Sequence, residues 1–262
     1  VNGYEEKEGF ERISQDDLLK ETAKAKEWFG QYLIKVFKNI DGLESLGSGG
    51  LIKYRGKFFA VTNAHVIKSL EESQLLSTIE ISYKDKQEID RIATLIDVKV
   101  DKENDFAAFE ISPTSVKQMH NHIFLDEELL ENDASYYFAE RGNIVFLHGY
   151  PSLKTNIDHG EKEVDMTTLP YTTFIKEYDD FSDILILHGE AYGISEYGGK
   201  IDVDTFGGMS GSLAFGYYPG EAIPYKCLGI LTEWAHQDEE LYVFPTKDLL
   251  NFIDKDFFED AS

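Results

Sequence analysis

Three short stretches carry the side chains that nucleophilic catalysis requires. "VTNAHVI" (61–67) sets His65 at the end of an apolar run, where a strand gives way to a turn. "ENDFAAFEI" (103–111) sets Asp105 where a charged loop meets an apolar strand, and "FGGMSGSLAF" (206–215) sets Ser210 between Gly208 and Gly211. An imidazole can take up and return a proton near neutral pH. A carboxylate at the boundary of solvent and core can accept its Nδ1–H and hold the ring in one tautomer. A serine in a glycine-rich turn can present its hydroxyl outward, while the N–H groups of Gly208 and Ser210 share one hollow suited to a tetrahedral oxyanion. Each stretch also has a plainer reading by itself: a packed core histidine, an aspartate that starts a strand, a Gly/Ser hairpin turn.

Such side chains act only if rigid elements hold them. Residues 14–29, SQDDLLKETAKAKEWF, predict a helix, with Ser14 as cap, acidic residues in the first turn and Gly30 after its end. Short β-rich runs follow, broken by turn residues: QYLIKVF, GGLIKY, KFFAVT, EIDRIATLIDVKV, DFAAFEI, NIVFLHGY, TTLPYTTFI, DILILHGE, SLAFGYY and CLGILTEW. EESQLLSTIE (71–80) and DEELLEND (126–133) read as a helical turn or an exposed loop. FPTKDLLNFIDKDFF returns to helical spacing through Leu249, Leu250, Ile253 and Phe257. Strands that do not alternate with helices predict a mostly β architecture, a barrel or a sandwich.

Composition narrows the partners. The 262 residues can bury a sizeable core, and an aromatic content of 13% argues against a disordered chain. A formal charge of −24 repels phosphate backbones, so nucleic acid is not an expected partner. The single cysteine, Cys227, excludes an internal disulfide and reads as a core thiol, which suits a reducing, cytoplasmic location. No apolar run has the length of a membrane span, and VNGYEEKEGF lacks the basic and apolar regions of a signal peptide. "HNH" (120–122) has no further Cys/His cluster nearby, so no metal site and no cofactor are expected.

The order His65, Asp105, Ser210 is the order of chymotrypsin-like enzymes, unlike that of subtilisin or the α/β-hydrolases. The flanks agree. "GSGGLIKYRGKFFAVTNAHVI" (47–67), "DFAAFEI", "GGMSGS", "LHGYP" (147–151) and "CLGILTEW" together resemble the trypsin/chymotrypsin-like serine protease family, over residues 31 to 258. The resemblance implies an all-β fold of two six-stranded antiparallel β-barrels with a C-terminal helix (246–258), and it leaves the N-terminal helix outside, as an extra N-terminal helical extension (1–30). The first barrel would span 31–125 and the second 135–245. It also implies a serine endopeptidase that works through an acyl-enzyme. Ser210 would be nucleophile, His65 general base and then acid, and Asp105 the group that orients His65. The N–H groups of Gly208 and Ser210 would form the oxyanion hole.

Departures from the family pattern bear on specificity. Met209 replaces the aspartate that pairs with a freed N-terminus in trypsin-type enzymes, so that form of activation is not expected. The GxSGS turn resembles the bacterial glutamyl endopeptidases, but Leu231 stands where that branch has a histidine that reads acidic side chains. Asp204, beside Thr205, lies six residues before Ser210, as trypsin's pocket aspartate does, and would favour Lys or Arg substrates. Leu231, Thr232, Glu233 and Trp234 would line the cleft, with a peptide added as a strand beside 231–233 and the pocket narrowed by Glu233 and Trp234. A second reading is a protease-fold module that captures peptides or a regulatory partner, the latter through the N-terminal helix, with weak or gated hydrolysis.

Overall fold

Helix α1 (Gln15–Phe29) is the first element of the computed structural model, which describes residues 15–39, 43–68, 70–84, 90–119, 124–132, 143–151, 155–158, 163–166, 168–189, 194–195, 206–218, 221–235 and 237–259. The apolar runs that follow become β1 (Leu33–Asn39), β2 (Leu43–Tyr54) and β3 (Lys57–Asn63). A 3₁₀ turn (Ala64–Ile67) and α2 (Glu72–Thr78) then lead to β4 (Ile79–Lys84), β5 (Asp90–Ile92), β6 (Leu95–Asp101) and β7 (Phe106–Ile111). Helix α3 (Pro113–Gln118) begins at Ser112, whose hydroxyl accepts from the Ser115 N–H, and β8 (Leu125–Asp126) follows. These strands form one sheet in the order β5-β4-β1-β2-β3-β7-β6, with β8 parallel to β2.

The second half contains β9 (Ile144–Gly149), a small hairpin of β10 (Thr155–Asp158) and β11 (Glu163–Met166), then β12 (Leu169–Asp179), β13 (Ile184–His188), β14 (Ile194–Ser195), β15 (Leu213–Tyr217), β16 (Tyr225–Ala235) and β17 (Glu240–Pro245). Its sheet runs β13-β17-β16-β15-β9-β12-β14, and a further pairing of β12 with β13 closes six of these strands into a barrel. Helix α4 (Thr246–Phe257) ends the described chain.

The expectation of two six-stranded barrels is therefore corrected: one half closes and the other stays an open, half-barrel sheet. Among the described residues no ladder joins β5 to β6. The physical reason lies in what fills the concave face. Leu75 of α2, with Ile67 of the 3₁₀ turn, is buried among Ile34, Leu51 and Phe109, so a helix supplies the apolar cover that strand closure would otherwise give. Ile92 and Ile96, on the two edge strands, stay exposed.

A third cluster lies between the halves and is closed by both terminal helices. Phe29 of α1 stacks on Phe215 with ring centroids 4.0 Å apart, and Phe252 of α4 stacks on Phe106 at 6.1 Å. Each such buried ring contributes on the order of 2–3 kcal/mol of transfer free energy. The Thr22 hydroxyl meets that of Thr172 at 2.6 Å, tying α1 to the barrel. Cys227 is fully buried in β16, and burial pushes its thiol up to about 12, as suits a core thiol rather than a nucleophile. Residues 120–122 lie outside the described residues, among which no cluster of three His, Cys, Asp or Glu could hold a metal. No helix of the described residues is long and apolar enough to cross a membrane.

Candidate active site

The histidine corner follows from strand register. β3 pairs with β7 so that Asn63 faces Phe106, which sets Asp105, just before β7, beside the turn that follows β3. Asp105 adopts a left-handed backbone (φ 59°), which Asp tolerates better than most residues. In that conformation its carbonyl accepts from the Ala64 N–H at 3.0 Å and from Asn63 Nδ2 at 3.2 Å. Its carboxylate accepts from the His65 N–H (Oδ1, 2.8 Å) and from His65 Nδ1 (Oδ2, 2.8 Å). Thr232 Oγ1 donates to the same Oδ2 at 2.9 Å. Burial by itself would raise the Asp105 carboxyl. The hydrogen bonds and charge of His65, with the Thr232 hydroxyl, outweigh it and hold the group below its ordinary value. With Nδ1–H given to the carboxylate, Nε2 is the basic nitrogen of the ring. Beside His65 lies a hollow of about 410 Å³ walled by Ile67, Leu75 and Val100 and edged by Lys68 and Lys102.

The serine turn is held from behind. Met209 N–H donates to Phe206 O (3.0 Å), Ser212 N–H to Met209 O (3.0 Å) and Gly211 N–H to Leu231 O (2.9 Å). Gly211 has φ 91°, and a Cβ there would stand 2.1 Å from the Ser48 carbonyl oxygen, so no other residue fits. Gly208 also has a left-handed φ, 89°. The Gly208 and Ser210 N–H groups have no hydrogen-bond partner among the described residues. Met209 is fully buried in the barrel core, where a side chain of its apolar character belongs.

The Ser210 hydroxyl donates to the Thr232 carbonyl at 3.0 Å, and among the described residues no hydrogen bond joins it to His65. A bulge in β16 between Leu231 and Glu233 takes Thr232 out of the ladder with β17. Thr232 thus offers its carbonyl to Ser210 and its hydroxyl to Asp105, and the sequence His65–Asp105–Thr232–Ser210 is one connected hydrogen-bonded set.

The remaining predicted residues divide. Leu231 is buried in the barrel core, and Glu233 is exposed. Trp234 packs on Phe206 (centroids 5.0 Å apart) and covers Gly189, where a Cβ would fall 2.2 Å from the indole. Asp204 and Thr205 lie outside the described residues. Sequence reasoning missed three polar contributors: Asn63, Ser48 and the Thr232 hydroxyl. Asn63 directly precedes the Ala-His pair and Ser48 lies within the GSGG run, so both were in quoted motifs without an assigned task.

No protein-family model matches the sequence, and no curated protein matches it. Among solved structures, the active form of the Rv3671c protease from M. tuberculosis superposes with a TM-score of 0.50 and 17% sequence identity, covering 96% of this chain and 94% of that one. The mostly β chain, with its one closed barrel and one open sheet, thus shares the fold of a protease.

Proposed function

We propose that the chain is a serine endopeptidase of trypsin-like type that needs no cofactor. The observation that carries this reading is the connected set His65–Asp105–Thr232–Ser210, which gathers an oriented imidazole, a carboxylate and a serine hydroxyl from both halves of the molecule. In the reaction, Ser210 Oγ forms a bond to the scissile carbonyl carbon while its proton passes to His65 Nε2. The tetrahedral oxyanion is met by the N–H groups of Gly208 and Ser210. Collapse breaks the C–N bond, His65 returns the proton to the leaving amine, and water then hydrolyses the acyl-enzyme by the same route in reverse.

Substrate would add as a strand beside 231–233. An N–H of that strand placed on the Thr232 carbonyl would take the acceptor from Ser210 and release its hydroxyl towards His65. Asp204 and Thr205 would supply a pocket for Lys or Arg, since a carboxylate at its floor favours a cationic side chain. The likeness to glutamyl endopeptidases is confined to the GxSGS turn, because Leu231 is buried and apolar. One fully buried thiol suits a cytoplasmic location, and residues 1–30 would form an extension to a protease domain of 31–262.

A second reading, a peptide-capturing module with gated hydrolysis, is favoured by the Ser210–Thr232 bond and by the packing of Trp234 on Phe206. A fluorophosphonate probe separates the two. An endopeptidase is expected to be labelled at Ser210, with Ser210→Ala unlabelled. Equal labelling of both proteins, or of neither when both are folded, would overturn the nucleophile assignment. A peptide-library digest that cut only after apolar or acidic residues would remove Asp204 as selectivity determinant.

A further inference from the structure

We infer that Ser48 is a positioning residue for the oxyanion-binding turn, acting through the Gly208 peptide; the inference rests on the serine endopeptidase reading. Ser48 is in β2, wholly buried, and every polar atom it has is engaged. Its N–H donates to the Ser210 carbonyl at 3.1 Å. Its carbonyl accepts from Thr62 Oγ1 at 2.7 Å, which locks Ser48 to the strand that ends at the histidine corner. Its hydroxyl donates to the Gly208 carbonyl at 2.8 Å and accepts from the Tyr150 N–H at 2.8 Å. Tyr150 is itself fixed, since its carbonyl accepts from Lys35 Nζ at 3.2 Å.

The consequence concerns one peptide plane. The Gly208–Met209 peptide is gripped at both ends, its carbonyl by Ser48 Oγ and its N–H by Phe206 O. Gly208, with φ 89° and no side chain, has nothing of its own to hold that orientation. Holding that plane anchors one side of Gly208 and so restricts how the peptide on its other side, which carries the Gly208 N–H, can turn; that N–H is one of the two donors proposed for the oxyanion. Take the hydroxyl away and the Gly208 carbonyl, in a water-poor site, loses its donor while the Tyr150 N–H loses its acceptor. Both gain by turning elsewhere, and the glycine permits the turn. Ser48 touches no reacting atom in this scheme. Its effect falls on the charge-bearing step, because the turn's N–H matters little until an oxyanion exists.

The test is the saturation kinetics of fluorophosphonate labelling, whose phosphoryl oxygen occupies the oxyanion position as Ser210 displaces fluoride. For Ser48→Ala the maximal labelling rate is expected to fall roughly 10- to 100-fold, with half-saturation within about threefold of wild type. Ser48→Thr, which keeps the hydroxyl, is expected to restore the rate, and Ser48→Cys, of similar volume with a weaker donor, to fall between; Ser48→Cys carries the test if Ser48→Ala does not fold. A merely structural serine would lower the melting temperature and leave the maximal rate per folded molecule unchanged. That result, or a defect confined to half-saturation, would overturn the inference while leaving Ser210 as nucleophile. A folded wild-type protein that is not labelled at Ser210 would overturn the endopeptidase reading and this inference with it.

Discussion

The histidine corner and the serine turn are built by opposite means. His65 and Asp105 hold each other directly: four hydrogen bonds run from residues 63–65 to Asp105, two to its carbonyl and two to its carboxylate. The serine turn, by contrast, is held by its backbone, through Ser48, Leu231 and Phe206, while its hydroxyl rests on the Thr232 carbonyl. The corner presets an electrostatic arrangement within one sheet. The turn presets a backbone cradle and leaves the Ser210 hydroxyl on the Thr232 carbonyl, with no hydrogen bond to His65 among the described residues. In the reaction proposed above, the side-chain geometry that has to persist is over-determined, and the one hydroxyl that has to move is held by a single hydrogen bond.

Asp105→Asn strikes the corner and gives the largest expected effect. Asn tolerates the left-handed backbone as Asp does, so the turn should survive and the protein should fold. An amide in place of the carboxylate favours the wrong imidazole tautomer, and fluorophosphonate labelling should slow by about 10⁴-fold with little change in melting temperature. Labelling at the wild-type rate would break the comparison, for the corner would then be structural.

Lys35→Met tests the backing of the serine turn through stability. Lys35 is 2% exposed, and burial lowers its ammonium from 10.5 to about 8. Folding therefore favours the neutral amine: the associated stability is full above about 10.5 and is lost as pH falls through about 8. At pH 7 the buried charge costs the wild type about 3 kcal/mol, offset in part by its bond to the Tyr150 carbonyl, worth about 1 kcal/mol. Methionine of similar length should raise unfolding stability in urea by about 2 kcal/mol at pH 7. The advantage should shrink between pH 8 and 10.5; a constant or growing one would show that the ammonium is not the costly element.

What could be read from the sequence follows the same division. His65, Asp105 and Ser210 could be singled out as candidates because each stands in a local motif whose chemistry depends on near neighbours. The helix at 15–29 was legible from its spacing, and the strands from their apolar runs. Closure of the sheets was not, because whether β5 meets β6 or leaves room for Leu75 depends on three-dimensional volume and not on any local pattern. Ser48 was invisible as a positioning residue for an equally physical reason: its hydroxyl partners lie 102 and 160 residues away. Thr232 could be placed on the cleft strand, but its double role requires a bulge that the run CLGILTEW does not announce.

Thr232→Val separates the two roles of that residue and has the smallest expected effect. Valine keeps the branched shape and the backbone, so the carbonyl that holds Ser210 remains, while the hydroxyl that serves Asp105 is gone. Asp105 then retains its two donors from His65, and labelling should slow by only about tenfold, in line with the loss of one hydrogen bond to a charged acceptor. The sign of the pH effect follows from the lowered carboxyl. The stability it confers is present above the unfolded value, near 3.9, and is lost as pH falls through the lower folded value. Losing the Thr232 hydroxyl moves the folded value up, so the variant should be less stable at pH 7, and its deficit against wild type should close as pH falls below about 3.9. A deficit that persisted in acid would assign the loss to packing. A rate loss approaching that of Asp105→Asn would mean that the corner depends on the barrel strand as much as on its own sheet, and the contrast between the two regions would no longer hold.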